Sequence, residues 1–376
     1  MKVVGIYTHP LISNYGGILQ NYALQQVLIK EGFNPITIDR VPTISNLKCF
    51  LGKVKQKIFK HHSSKILYRN QIELIIKESQ RFIDKNISRI KLVNPNDSEL
   101  YSSIVANDIA SIIVGSDQVW RPSINNGAKY AFLGFVPKES NIDKIAYAAS
   151  FGTSKWEFSS EDTVIAKNLI KDFKTISVRE ESGVNLCQEY LDSRAQVVLD
   201  PALLLDREDY LKVCNNERRI DKGKIFTYIL DRNKVKDNIV QEVSSVFNKP
   251  IFENQPRFSQ EENWHKNFSV EDFKFPSIEG WLDSFEKASF VVTDSFHGTV
   301  FSIIFNKQFI AIGNKERGLA RFESLLKLFG LEDRLVVDYN ESNMAILNKQ
   351  IDFEAVNEKR NLLKKESVEF LLNSLK

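Results

Sequence analysis

The sequence has no long apolar stretch, few cysteines and little net charge, and each shortage excludes a class of protein. No apolar run approaches the ~20 residues that cross a bilayer, and the amino terminus enters a strand without a cleavable leader, so we expect a cytoplasmic protein. Three scattered cysteines indicate neither a disulfide framework nor a zinc site. A net charge of +3 on 376 residues argues against non-specific binding of nucleic acid.

What is present is an ordinary globular composition, 43% hydrophobic and 26% charged, on a chain long enough for two domains. The glycine-rich fingerprint G-x-G-x-x-G is absent, so a nicotinamide cofactor is not expected. We expect no cofactor and no metal ion, because no cluster of metal-ligating residues is apparent.

A basic segment interrupts the first half. Between Lys48 and Arg69 there are seven Lys or Arg and no Asp or Glu, interleaved with apolar residues. The pattern predicts a basic amphipathic insertion over residues 48–91 that lies peripherally on the anionic inner face of a cell membrane. A solvated helix face is the open alternative.

Short apolar strands alternate with helical patterns along the chain, which predicts parallel sheets. The predicted fold class is α/β, with two Rossmann-like α/β/α domains that face each other across a cleft. We place the first domain at residues 1–208 and the second at 209–345. A terminal helix within 346–376 is predicted to pack back on the first domain.

The stretch Phe290–Phe305 reads as a buried strand, a tight polar turn and a buried helix. The helix start offers free backbone N–H groups beside His297, which suits a phosphate. In the alternative interpretation, Asp294 or Ser295 simply caps the helix. Three cations that follow the next strand favour the anion site: Lys315, Arg317 and Arg321.

Two loops of the first half, one with Asp117 and Trp120 and one with Arg179, also follow predicted strands. Asp117 is placed to act as a base toward a sugar hydroxyl, and Trp120 to stack on a sugar ring. A turn cap and a core residue are the respective alternatives. Arg179 is placed to hold a carboxylate or phosphate, or to pair with a neighbouring glutamate, Glu180 or Glu181.

Taken together, these loops resemble one family. The segments Asn14–Gln20, Gly115–Trp120, Ser177–Gly183, Leu199–Pro201 and Thr293–Gly298 occur in the order seen in polysaccharide pyruvyl transferases. The resemblance implies a fold like the two-domain B-type glycosyltransferases (GT-B-like). It also implies transfer of pyruvate from phosphoenolpyruvate to two hydroxyls of a sugar, as a ketal, with release of phosphate. Such enzymes serve capsule, exopolysaccharide or other cell-surface glycan synthesis, often on lipid-linked oligosaccharides.

The resemblance also assigns roles to residues. His297 matches the histidine of the phosphate site, Arg179 an arginine that grips phosphoenolpyruvate, and Asp117 is the candidate base. Some members have an arginine where this chain has Ser295, and Arg317 or Arg321 are the candidates to replace it. The remaining donor-side candidates are Phe296, Gly298 and Lys315. The acceptor-side candidates are Asn14, Tyr15, Gly16, Gly17, Gln20, Ser116, Gln118 and Trp120.

Two other functions are compatible with the same sequence. One is a GT-B glycosyltransferase whose nucleotide-sugar diphosphate occupies the site given above to phosphoenolpyruvate. The other is a non-catalytic polysaccharide-binding or assembly protein, which would keep the fold but would not need His297.

Overall fold

The computed structural model describes residues 1–41, 69–124, 127–214, 222–256, 269–313, 318–337 and 345–376. Its strands form two parallel sheets, seven strands and five strands within these ranges, in the orders β3-β2-β1-β4-β5-β6-β7 and β12-β11-β10-β8-β9. The first contains β1 Val3–Tyr7, β2 Asn34–Val41, β3 Arg89–Val93, β4 Ile109–Asp117, β5 Asp143–Ala149, β6 Phe173–Val178 and β7 Gln196–Val197. The second contains β8 Ile225–Tyr228, β9 Ile251–Glu253, β10 Phe290–Thr293, β11 Phe309–Ile312 and β12 Leu335–Val336.

Helices connect the strands, so each half alternates strand and helix. In the first half they are α1 Tyr15–Lys30, α2 Arg69–Ile75, α3 Lys77–Asn86, α4 Asp97–Ala106, α5 Ala128–Ala131, α6 Ser160–Leu169, α7 Glu181–Leu191 and α8 Arg207–Leu211. The rest are α9 Lys234–Phe247, α10 Val270–Phe273, α11 Ile278–Lys287, α12 Phe296–Ile304, α13 Ala320–Phe329 and α14 Phe353–Leu375. The predicted fold class, two Rossmann-like halves, is confirmed.

Burial explains why the central strands are apolar. The central strands β4 and β5 are almost wholly buried, as expected for parallel strands covered by helices on both faces. Helix α1 is buried along most of its length, because it lies between the first sheet and the elements that lead into the second. It therefore positions the loop before it, residues 8–14, against the second half.

The long terminal helix α14 returns to the first sheet, as predicted. Ser367 Oγ accepts a hydrogen bond from the Leu199 N–H, Thr175 Oγ1 donates to Ser374 Oγ, and the rings of Phe370 and Tyr147 are in contact. The predicted domain boundary after residue 208 falls inside the short helix α8.

Two details differ from the sequence prediction. The predicted insertion 48–91 ends inside β3, an edge strand paired with β2, so its last residues belong to the sheet. The run Val197–Leu203 predicts a strand that closes the first sheet, but β7 is only two residues long, because Pro201 starts a 3₁₀ turn, Pro201–Leu204. Residues 42–68 lie outside the described residues, so the membrane contact of the basic segment stays a prediction.

Candidate active site

A cavity of about 420 Å³ lies between the carboxyl edges of the two sheets. Residues from both halves line it, from the loops after β1 and β4 on one side and from those after β8 and β10 on the other. Ligands of parallel α/β folds bind at such edges. The lining includes Asn14, Gly16, Asp117, Gln118, Arg121, Ser295, Phe296, His297 and Arg321.

The turn between β10 and α12 presents His297 to this cavity. Ser295 caps the helix, with its Oγ accepting a hydrogen bond from the Gly298 N–H at 3.2 Å. Thr293 Oγ1 accepts from the Ser295 N–H and donates to the carbonyl of Tyr228 at the end of the neighbouring strand. The first-turn N–H groups of α12 therefore point into the cleft beside the imidazole, a favourable place for an anion.

Asp200 joins the two halves of the site. Its Oδ2 lies 3.6 Å from His297 Nε2 and accepts hydrogen bonds from Arg179 Nη1 at 2.6 Å and Ser116 Oγ at 3.1 Å. Its Oδ1 accepts from the Ala202 N–H at 2.9 Å, at the start of the 3₁₀ turn. One buried carboxylate, held by groups of the first half, therefore lies beside the imidazole of the second half.

A second carboxylate, that of Asp117, lies on the wall of the cavity. Its Oδ1 is 3.4 Å from Arg179 Nη2 and 4.0 Å from Arg321 Nη1, and its Oδ2 accepts from Asn14 Nδ2 at 3.2 Å. The backbone of Asp117 is left-handed, with φ of 67°, which turns the side chain at the end of β4. The ring of Phe296 packs beneath both arginines, 4.2 Å from the Arg179 guanidinium and 5.5 Å from that of Arg321.

The charges of these groups set their proton affinities. Burial alone would raise the pKa of Asp117, but Arg179, His297, His9 and Arg321 hold it well below its ordinary value. The pKa of Asp200 is also lowered, against the effect of burial, by His297 and Arg179. Burial and the neighbouring Arg179 lower the pKa of Arg321 to about 10, which leaves it protonated at neutral pH. The site is therefore a desolvated mixture of cations and carboxylates.

Comparison with known proteins decides the family. A family model described as "Polysaccharide pyruvyl transferase" matches residues 14–316, most of the chain. The chain belongs to the polysaccharide pyruvyl transferase family. No curated protein matches it significantly.

Solved structures resemble the pyruvyl transferase in fold. The UDP-GlcNAc 2-epimerase from Neisseria meningitidis superposes with a TM-score of 0.51 at 13% identity, covering 100% of this chain and 99% of that one. A putative UDP-N-acetylglucosamine 2-epimerase from Listeria monocytogenes gives 0.53 at 10% identity, covering 100% and 96%. At such identities the likeness shows the GT-B fold and nothing about substrate. Family membership indicates an enzyme, a transferase with a sugar acceptor.

Arg179 of this pyruvyl transferase has different partners from those considered in the sequence. Glu180 instead accepts hydrogen bonds from Ser150 Oγ and the Phe151 N–H, and Glu181 pairs with Lys327. Burial raises the pKa of Glu180. The Arg179 guanidinium is held by Asp200 and Asp117 and does not line the cavity. Arg321 lies on the cavity wall, and direct contact of Arg179 with the donor stays a prediction.

The prediction that Trp120 stacks on a sugar ring is wrong. The side chain is fully buried, its ring stacks on Phe132 with centroids 4.9 Å apart, and its Nε1 donates to the carbonyl of Ala131. The chain turns sharply after Asp117, which directs Trp120 into the core of the first half.

Four further acceptor-side candidates, Tyr15, Gly17, Gln20 and Ser116, are buried and do not themselves line the cavity, so their contact with the acceptor stays a prediction. Tyr15 packs against Trp281 and donates to the carbonyl of Pro276. Gln20 donates to Thr8 Oγ1 and the Gly17 carbonyl, while the Gly17 N–H donates to the capping side chain of Asn14. Ser116 is committed to Asp200. Of the predicted acceptor-side residues, Asn14, Gly16 and Gln118 line the cavity.

On the donor side, Ser295, Phe296 and Arg321 line the cavity, and Gly298 supplies the capped N–H. Lys315 and Arg317 lie outside the described residues. Ser295 is the cap, as the alternative interpretation held, and it also borders the cleft. Capping and ligand binding are therefore compatible at this helix start.

Sequence reasoning missed three polar residues. Asp200 was visible in the Leu199–Pro201 motif but was interpreted only as a turn. Asp294 ties the loop after β8 to α9, because its carboxylate accepts from the Leu230 and Asp231 N–H groups and pairs with Lys236. Arg121 lines the cavity and pairs with Glu157. No local pattern in the sequence singles out Arg121 as a cavity residue.

The described residues offer neither a metal-binding cluster nor a membrane-spanning helix. Within the ranges given above, no group of three or more His, Cys, Asp or Glu side chains is arranged to hold a metal ion. Among the described helices, none combines the length and apolar character needed to cross a membrane.

Proposed function

We propose that the protein transfers pyruvate from phosphoenolpyruvate to two hydroxyls of one sugar residue, forming a ketal and releasing phosphate. Its place is in the synthesis of a capsule, exopolysaccharide or other cell-surface glycan. The observation that carries the proposal is the position of His297, which lies on the wall of a cavity that Arg321 also lines and is 3.6 Å from the carboxylate of Asp200. Family membership supplies the reaction class.

The donor carries two anionic groups, a phosphate and a carboxylate. The N-terminus of α12 and the cation of Arg321 suit these groups, because backbone N–H groups and a guanidinium both bind oxyanions. Arg179 acts behind them: it holds Asp200 and Asp117 in place, and Phe296 packs between it and the cavity.

The reaction requires one proton to be gained at carbon and two to be lost from hydroxyls. Protonation of the methylene carbon makes C2 electrophilic, one sugar hydroxyl adds there, phosphate leaves, and the second hydroxyl closes the ring. The proton of one hydroxyl restores the acid that protonated the methylene carbon. The proton of the other hydroxyl leaves with the phosphate. His297 is the candidate acid and Asp117 the candidate base.

Taken alone, the low pKa of Asp117 disfavours its action as a base. A bound phosphoenolpyruvate brings negative charge close to this carboxylate and engages Arg321, one of the cations that hold its pKa down. Both effects raise the pKa of Asp117. The base therefore becomes stronger when the donor is present.

The proposal is tested by measuring phosphate release from phosphoenolpyruvate with galactose-, mannose- and glucose-containing acceptors. We expect acceptor-dependent release by the wild type, a product that gains the mass of a pyruvate ketal, and loss of both in His297→Ala. Lys167→Ala, which removes a surface ion pair with Asp192, is the control and should retain the rate. The proposed steps use protein groups alone, so the rate should be unchanged by EDTA.

Two outcomes would overturn the proposal. Consumption of a nucleotide-sugar without any use of phosphoenolpyruvate would indicate glycosyl transfer on the same fold. Saccharide binding that is unaffected by His297→Ala, with no turnover of either donor, would indicate a binding protein.

A further inference from the structure

A second cavity, of about 340 Å³, lies at the carboxyl edge of the first sheet. Its size falls within the range of roughly 300–1,000 Å³ typical of small-ligand sites. Its walls include Tyr7, His9, Arg40, Ile124 and Tyr130, which come from the ends of β1 and β2 and from the segments after β4. The mechanism proposed above gives no role to Tyr7, Arg40 or Tyr130, and His9 enters it only through the effect of its charge on Asp117.

This cavity adjoins the active-site cleft. Ile124 lines both, and the loop after β1 contributes His9 to the second cavity and Asn14 to the first. His9 lies close enough to Asp117 for its charge to act on that carboxylate. A ligand held in the second cavity would therefore extend toward the candidate base.

Arg40 is positioned by aromatic rings. Its guanidinium carbon lies 4.3 Å from the centroid of the Tyr130 ring and 5.9 Å from that of Tyr7. Among the described residues, no carboxylate lies within ion-pair distance of Arg40, and Asp97, whose charge reaches it, is engaged by Lys129 and Tyr130. Ring contacts use the face of a guanidinium and leave its N–H edge for an oxyanion.

Two buried polar atoms beside Arg40 have no hydrogen-bond partner in the described part of the chain, the hydroxyl of Tyr7 and Nε2 of His9. The Tyr7 side chain is only 4% exposed. An unsatisfied buried polar group is costly and uncommon, so it needs an explanation. A ligand that carries acceptor oxygens provides one for both atoms and for Arg40.

We propose that this cavity binds an anionic group of the acceptor glycan, on the sugar residue next to the one that receives pyruvate. The group is a carboxylate or a phosphate, and the enzyme thereby selects an acidic saccharide over a neutral one. The assignment to the acceptor rests on the proposed function, because only the adjoining cleft gives this cavity a reaction to serve.

Binding to the intact protein tests the inference without turnover. The probes are methyl β-glucuronide for a carboxylate, glucose 1-phosphate for a phosphate, methyl β-glucoside as the neutral match, and inorganic phosphate. Titration calorimetry of the wild type should show one or both anionic sugars binding at least about tenfold more tightly than the neutral sugar. The tighter of the two anionic sugars identifies the group.

Two variants locate the bound anion. Arg40→Gln should weaken binding of the anionic sugar about 10- to 100-fold, since a hydrogen bond to a charged group is lost. Binding of the neutral sugar should be unchanged. Tyr7→Phe removes only an unpartnered hydroxyl, so it should keep the fold and still weaken the anionic sugar severalfold. Arg194→Gln, on an exposed arginine far along the chain, is the matched control and should change nothing.

Three results would overturn the inference. Equal dissociation constants for the anionic and the neutral sugars would show that the cavity does not prefer an anion. Anion binding that survives Arg40→Gln but is lost in His297→Ala would place the anion in the main cleft. If inorganic phosphate binds as tightly as glucose 1-phosphate, the sugar contributes nothing to binding, and the cavity is not a saccharide site.

Turnover separates this inference from the proposed function. If the wild type releases phosphate from phosphoenolpyruvate but Arg40→Gln discriminates acidic from neutral acceptors as the wild type does, the inference fails and the function stands. If no acceptor supports release while anion binding depends on Arg40, the function fails and so does the assignment of this cavity to the acceptor.

Discussion

The imidazole of His297 lies directly against the backbone of Gly16. A Cβ built on Gly16 would be 2.1 Å from Nδ1 of His297 and 2.7 Å from its Cβ. Gly16 stands in the first turn of α1, and His297 in the first turn of α12. The absence of a side chain on one helix is therefore what allows the other half of the molecule to bring its histidine to Asp200.

Gly16→Ala should inactivate the enzyme without unfolding it. The methyl group displaces His297 from Asp200, and a misplacement of about 1 Å can cost on the order of 100-fold in rate. The measurement is phosphate release from phosphoenolpyruvate, with melting temperature as the check on folding. Ile29→Ala, on the exposed face of the same helix, should keep the wild-type rate. A Gly16→Ala enzyme of normal rate would mean that the position of His297 is not critical.

Asp200→Asn should be strongly destabilising. The change leaves the buried Arg179 with one carboxylate instead of two, and breaking a buried ion pair costs about 3–5 kcal/mol. Denaturant unfolding gives the free energy directly. Asp143→Asn is the matched control, because Asp143 is 38% exposed and pairs with Lys174 on the surface, so it should cost at most about 1 kcal/mol. Equal losses in the two variants would contradict a structural role for Asp200.

Most of the fold could be predicted because its signals are local. An apolar run such as β10 cannot be solvated, and a glycine-containing polar turn followed by an apolar helix has few alternatives. The edge strand β3 was missed since its residues, from Arg89 to Val93, are mostly half-exposed and partly charged. An edge strand has only one neighbour to pair with, so it needs less apolar sequence.

The site could be predicted only in part, because its geometry depends on contacts between distant residues. His297 and Asp117 stood out as polar residues at strand ends. The role of Asp200 depends on His297, 97 positions further along by the numbering, and no local rule connects them. Trp120 shows the converse error: an aromatic residue in a polar loop can be core when the backbone turns, as it does at Asp117.

The stability difference between the wild type and Asp200→Asn should depend on pH. The pKa of Asp200 is depressed below its ordinary value of 3.8, so its stabilisation is fully present above that value and is lost as the pH falls from there through the lower pKa of the folded state. The difference in free energy of unfolding should therefore be constant from pH 7 to about 5 and shrink mainly below about pH 4. Urea unfolding curves at pH 7, 5, 4 and 3 measure it.

A second buried carboxyl group, Glu180, changes the stability with pH in the opposite direction. Burial raises the pKa of Glu180, so this group favours folding more at low pH and opposes the trend, equally in both proteins. Subtracting one curve from the other removes it. Parallel curves for the wild type and Asp200→Asn down to about pH 3 would show that the pKa of Asp200 is not depressed in the folded protein.

Arg321 and Arg121 line the same cavity from opposite halves, so their replacement should affect different substrates. Arg321 lies in α13 of the second half and borders the cavity 4.0 Å from Asp117, so its guanidinium is placed to bind an oxyanion of phosphoenolpyruvate. Arg321→Gln should raise the KM for phosphoenolpyruvate about 10- to 100-fold, the cost of a hydrogen bond to a charged group. Arg121→Gln should instead raise the KM for the acceptor. Steady-state kinetics with each substrate varied in turn distinguishes them, and an Arg321→Gln enzyme altered only in its acceptor KM would reverse the donor and acceptor sides of the cleft.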